Sequence, residues 1–188
     1  DLSDASQINK LAEKYFQKFD RIDGLVLNAG GPPAGKSLDF EDAVWQNALD
    51  TTFTSVMRLC RLFVPKMQKQ KYGRIIAIES SSVKQIIDNL ALSNTIRPAV
   101  VGFLKTLSAE VGTDNVLINT LLPGPTNTER LQSLLEKWAD TKQISKEEVT
   151  QKQTEQIPLK RFGEPEEFAA LATFLISGKN TYVTGQSI

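Results

Sequence analysis

The chain contains no histidine. That removes imidazole-based triads and most zinc sites, and no metal site is expected. It has a single cysteine, Cys60, so no disulfide forms within the chain and a reducing compartment is expected. Cys60 falls in a helical stripe with Val56, Met57, Phe63 and Val64 and reads as core filler. There is no excess of charge: 22 basic residues face 22 acidic ones, which argues against a nucleic-acid or anionic-membrane partner. No apolar run approaches the roughly 20 residues that a membrane span needs. The opening Asp1-Leu2-Ser3-Asp4 is not a signal peptide. A cytoplasmic domain is the expectation, and 188 residues are enough for one sizeable core.

What the sequence does contain is alternating strand and helix signals. Ile8, Leu11, Ala12, Tyr15, Phe16 and Phe19 predict an amphipathic helix over 4–19, with Ser3 or Asp4 as its cap. Residues 24–28 are apolar without alternation, as in a parallel strand covered on both faces. A pair of helices, or one bent helix, is expected over 39–70. Pro65 should kink that region or lie near its end. A strand over 74–79 follows. A long helix starts at Asn94 or Thr95 and runs to Val111, with Pro98 in its first turn or bending it. A strand over 116–122 closes on Pro123-Gly124-Pro125, and 126–156 is polar and helical. A helix over 164–176 and a last strand over 181–188 complete the pattern, which is that of a parallel α/β sheet.

Ligands of such sheets sit at the carboxyl ends of the strands. The polar residues there are Asn28, Ser80, and Pro123-Gly124 followed by Thr126 and Thr128. Ser80 ends one strand. Ser93 and Arg97, four residues apart on the next helix, share one face of it. Glu79 should point away from Ser80 and pair with Arg97 or a lysine, with a role as base the alternative. Ser81 and Ser82 replace Ser80 if the register slips. The competing assignment makes Ser93 a helix cap and Arg97 a solvated or ion-paired residue. Asn94 is a further cap candidate.

These segments resemble the short-chain dehydrogenase/reductase family, of the kind that includes 3-oxoacyl-acyl-carrier-protein reductases. Asn28-Ala29-Gly30 is similar to its Asn-Ala-Gly motif, Gly73-Arg74-Ile75-Ile76 to the strand leading to its serine, and Asn119 to Gly124 to its Pro-Gly motif. Ile157 to Glu167 matches its closing signature, and Tyr182-Val183-Thr184-Gly185 precedes its last strand. The resemblance implies a Rossmann-type doubly wound parallel sheet, here its C-terminal part of about four strands with flanking helices, forming a single domain over 1–188. It also implies NAD or NADP as cofactor, a small carbonyl or alcohol substrate, and a homodimer or homotetramer. Cofactor contacts would fall on Asp1, Asn28, Ala29, Gly30, Arg97, Pro123, Gly124, Thr126 and Thr128.

Two departures qualify the resemblance. The family's opening strand and glycine-rich turn have no counterpart. The expectation is therefore a chain truncated by roughly 60 residues at its start, two βαβ-sized units, and slightly at its end. The family's catalytic Tyr and Lys align with Ser93 and Arg97, its supporting Asn with Thr52, and only Ser80 is kept. The implied catalytic set is Ser80, Ser93 and Arg97 with an altered proton relay. The alternative is an inactive nucleotide-binding or oligomeric scaffold.

Overall fold

The computed structural model describes residues 1–188, in two compact units: Asp1–Leu122 with Ala172–Ile188, and Pro123–Leu171. The first unit holds α1 (Ala5–Lys18), β1 (Gly24–Leu27), α2 (Asp42–Leu49), α3 (Ser55–Lys69), β2 (Gly73–Ile78), α4 (Ala91–Val111) and β3 (Val116–Leu121). Its sheet has the order β1-β2-β3, all parallel. Every residue of β3 and all but the last of β2 are buried. That fits a parallel strand covered on both faces, and the polar Arg74, Asn119 and Thr120 within these strands are buried too. The segment after Asn180 lies along β3 but forms only an isolated bridge, Thr120 with Ser187, so the sheet has three strands and the last strand expected over 181–188 does not form. The Gly185 N–H donates to the Ile118 carbonyl at 2.7 Å and the Thr120 N–H to the Gln186 carbonyl at 2.8 Å. Asn119, buried inside β3, donates to the Val183 carbonyl at 2.8 Å.

One face of the sheet packs on α1, α3 and α4. Ile8 and Ala12 meet Val56, Cys60, Phe63 and Met67, with Ile75, Ile118, Val100 and Leu104 in the same cluster. Asp4 caps α1, accepting from the Ser6 N–H at 2.7 Å. Residues 42–69 form one continuous helical run in which Asp50–Thr54 is a π-helical turn. Of the pair of helices or single bent helix expected from sequence, it is the single run that forms. Pro65 lies in the last turns of α3, which ends four residues later.

The start of α4 differs from expectation. It begins at Ala91, not Asn94 or Thr95, and its cap position is Leu90, which has no polar side chain to offer. The cause is apolar: Leu92 is fully buried and packs with Ala48 and Ile96. Burial of that side chain decides the helix entry against the polar cap signals further along. Neither Ser93 nor Asn94 is therefore a cap. Asn94 instead ties down the preceding loop, accepting from the Ile87 N–H at 3.2 Å and donating to its carbonyl at 2.9 Å. Pro98 is well inside α4 and leaves the Asn94 carbonyl without its helical donor.

In the second unit, α5 (Glu129–Lys142) and α6 (Lys146–Glu155) pack as a pair through Leu131, Leu135, Ala139 and Val149. Helix α7 spans Pro165–Ile176. No helix is long and apolar enough to cross a membrane.

Candidate functional site

Beyond the carboxyl end of β2 the chain passes through Glu79 and Ser80 into a single 3₁₀ turn, Ser81–Val83. Ser80 caps that turn: its Oγ accepts from the Ser82 N–H at 3.1 Å. The turn folds the next hydroxyl back toward α4. Ser82 Oγ and Ser93 Oγ lie 3.0 Å apart, and both residues are buried. The hydroxyl that meets Ser93 is thus that of Ser82, and Ser80 serves that contact by shaping the turn.

Arg97 follows Ser93 by one helical turn. Its Nη1 donates to Glu79 Oε2 at 2.8 Å, and both residues are only 6% exposed. Burial pushes the Glu79 carboxyl up, to about 7, against the opposing pull of the Arg97 charge and hydrogen bond. Arg97 Nε is buried with no partner, as is Thr52 Oγ1 in the π-helical turn, an element that packs against α4. The Thr52 position expected from sequence thus lies on an element beside the Arg97 helix.

The three tyrosines lie elsewhere. Tyr15 donates to the Arg21 carbonyl at 3.0 Å, Tyr72 lies 4.4 Å from the Arg74 guanidinium, and Tyr182 is 91% exposed. Cys60 is core, and burial pushes its thiol up to about 12.

The expected cofactor-side residues divide between the units. In the first, Asn28, Ala29 and Gly30 follow β1, with Asn28 and Gly30 exposed. A Cβ at Gly30 would meet nothing within 4 Å, so the backbone there is open to close approach. Asp1 is exposed and accepts from the Ser3 N–H and hydroxyl, each at 2.8 Å. In the second, Pro123, Gly124 and Thr126 line a cavity of about 380 Å³ with Arg161 and Phe168. Thr128 is the N-cap of α5, accepting from the Leu131 N–H at 3.3 Å. The sequence signal for that role is a threonine directly before a helix that opens on Glu129.

The comparisons agree with this architecture. A family model described as Enoyl-(Acyl carrier protein) reductase matches residues 1–188. A 3-oxoacyl-[acyl-carrier-protein] reductase of Thermotoga maritima is 33% identical over 189 residues, covering 100% of this chain and 72% of the relative. The L-sorbose reductase of Gluconobacter frateurii, solved with NADPH and L-sorbose, superposes with a TM-score of 0.92 at 28% identity, over 100% of this chain and 72% of its own. A 7 alpha-hydroxysteroid dehydrogenase solved with NADH and a 7-oxo bile acid gives 0.87 at 26% identity, over 100% and 69%. The parallel sheet, the helices on it and these matches together show that the chain belongs to the short-chain dehydrogenase/reductase family of oxidoreductases.

Proposed function

We propose that this protein transfers hydride between a nicotinamide dinucleotide, NAD or NADP, and a small carbonyl or alcohol, through a site whose proton chemistry runs on hydroxyls instead of a phenol. The observation that carries the reading is the buried Ser82–Ser93 pair, 3.0 Å apart, in which Ser93 lies on the helix that also carries Arg97. The residues present fit a dinucleotide in kind. Gly30 leaves the backbone open beside exposed Asn28, and Arg97 Nε is a donor without an acceptor. Relatives solved with NADPH and with NADH support the same cofactor class.

A bound nicotinamide supplies or takes up the hydride. In the reducing direction Ser93 donates its hydroxyl hydrogen to the substrate oxygen, Ser82, at hydrogen-bond distance, replaces it, and a water from solvent returns the proton to Ser82. A serine hydroxyl is a weak acid, so the charge that develops on that oxygen needs electrostatic support, which in this reading comes from Arg97. A site without a tuned general acid forgoes about 10²–10⁴ in rate, so slow turnover is expected.

The test is fluorescence titration of the native protein with NADPH and NADH, followed by a carbonyl screen. Binding and turnover, with Ser93→Ala and Ser82→Ala each lowering kcat about tenfold or more and Ser80→Ala less, support the reading. Absence of binding to either nucleotide in a folded sample supports the scaffold alternative. That alternative is favoured by one feature, the engagement of Arg97 with Glu79.

A further inference from the structure

We infer that Glu79 is a positioning residue of this site, which acts through Arg97: it fixes the guanidinium, and its own ionisation sets the net charge the site presents to the substrate oxygen. The inference rests on the oxidoreductase reading above and adds the group that governs its pH dependence.

Elimination leads to Glu79. The chain has no histidine. The tyrosines and Cys60 lie outside the site. Serine hydroxyls and arginine do not change charge in the working range of an enzyme. Glu79 is the remaining titratable group in the cluster. Its surroundings are otherwise neutral. From β3, the Leu121 carbonyl accepts the Glu79 N–H at 2.8 Å. The Ser81–Val83 turn carries only hydroxyls and a methyl-bearing side chain. From α4 comes Arg97, the one charge acting on the carboxyl.

The geometry gives this group leverage. The Arg97 Nη1 bond to Glu79 Oε2 is 2.8 Å long and buried, so the guanidinium is held at one corner while its Nε stays without a partner. With Glu79 ionised the pair is neutral overall. With Glu79 protonated the pair carries one positive charge, in surroundings from which water is largely excluded, where a charge acts strongly on a nearby oxyanion. Protonation therefore favours carbonyl reduction. Burial places the carboxyl near 7, so the change falls at neutral pH.

The experiment follows kcat for carbonyl reduction against pH for the native protein, Glu79→Gln and Glu79→Asp, after nucleotide binding has been measured on each. Gln keeps the acceptor and the shape but cannot ionise. In the native protein kcat is expected to fall as pH rises through about 7, by about fivefold or more, and Glu79→Gln is expected to lose that limb. Glu79→Asp keeps a limb with a displaced midpoint, and decides the matter if the Gln variant does not fold. Binding and turnover with no limb in the native protein, the same limb in Glu79→Gln, or an unmoved midpoint in Glu79→Asp overturns the inference and leaves the oxidoreductase reading standing. Failure of the folded native protein to bind NADPH or NADH, or to turn over any carbonyl, overturns both.

Discussion

Separating Glu79 from Arg97 gives a sharp test of the physics of this site, because the two halves of the pair are not equivalent. Both are 6% exposed and joined at 2.8 Å. Removing one partner of a buried pair costs about 3–5 kcal/mol, whereas replacing both with apolar residues of similar volume is often neutral or stabilising. Glu79→Leu leaves Arg97 charged, since a guanidinium cannot shed its proton, and the full penalty applies. Arg97→Met leaves a carboxyl that can protonate, and its loss is smaller, about 1–3 kcal/mol, growing as pH rises. The double variant should return to within about 1 kcal/mol of wild type. At about 2–4 °C per kcal/mol for a chain of this size, Glu79→Leu should melt about 10 °C low and the double variant near wild type. The ionisation adds a signed pH dependence. The Glu79 carboxyl is raised in the folded state from 4.5 to about 7, so between those values the native protein holds a proton that the unfolded chain has released. Its contribution to stability is complete below 4.5 and is lost as pH rises through about 7, a change of about 3 kcal/mol. Urea unfolding at pH values on either side of that window, compared with Glu79→Gln, isolates it. A Glu79→Leu variant more stable than Arg97→Met at neutral pH, or a wild-type advantage over Glu79→Gln that grows with pH, would refute the reasoning.

Three further outcomes follow from local packing. A Cβ added at Gly73 would stand 2.5 Å from Met67 Sδ, and Met67 is fully buried with nowhere to retreat; Gly73→Ala should cost about 1–3 kcal/mol in urea unfolding. Cys60 is buried in the core, with its thiol pushed up to about 12, so it should react with a thiol reagent only at the rate of unfolding, and prompt labelling of the native protein would contradict the placement. Thr128→Ala removes the cap of α5 and should lower stability by about 1 kcal/mol by circular dichroism, while Thr128→Ser should restore it.

Much of this was legible in residue order, for a definite reason. Unbroken apolar runs such as Ile75-Ile76-Ala77 mark parallel strands, and helical spacing places Ser93 and Arg97 on one face, because both are properties of the local backbone. Residue order left Glu79 to pair with Arg97 or a lysine, or to act as a base, and the structure pairs it with Arg97. Other features were not local. The start of α4 was set by Leu92 entering the core, which outweighed the polar cap signals at Ser93 and Asn94. The choice among Ser80, Ser81 and Ser82 was beyond any spacing rule, because it depends on a 3₁₀ turn whose cap is Ser80 itself. The sequence alone determined that a hydroxyl-bearing strand end and a Ser-Arg helix face exist, since strand and helix periodicities are short-range. Only the tertiary structure decided that Ser82 reaches Ser93 and that Glu79 holds Arg97, since those contacts join segments 11 and 18 residues apart, and their geometry depends on how α4 packs against β3 and the 3₁₀ turn.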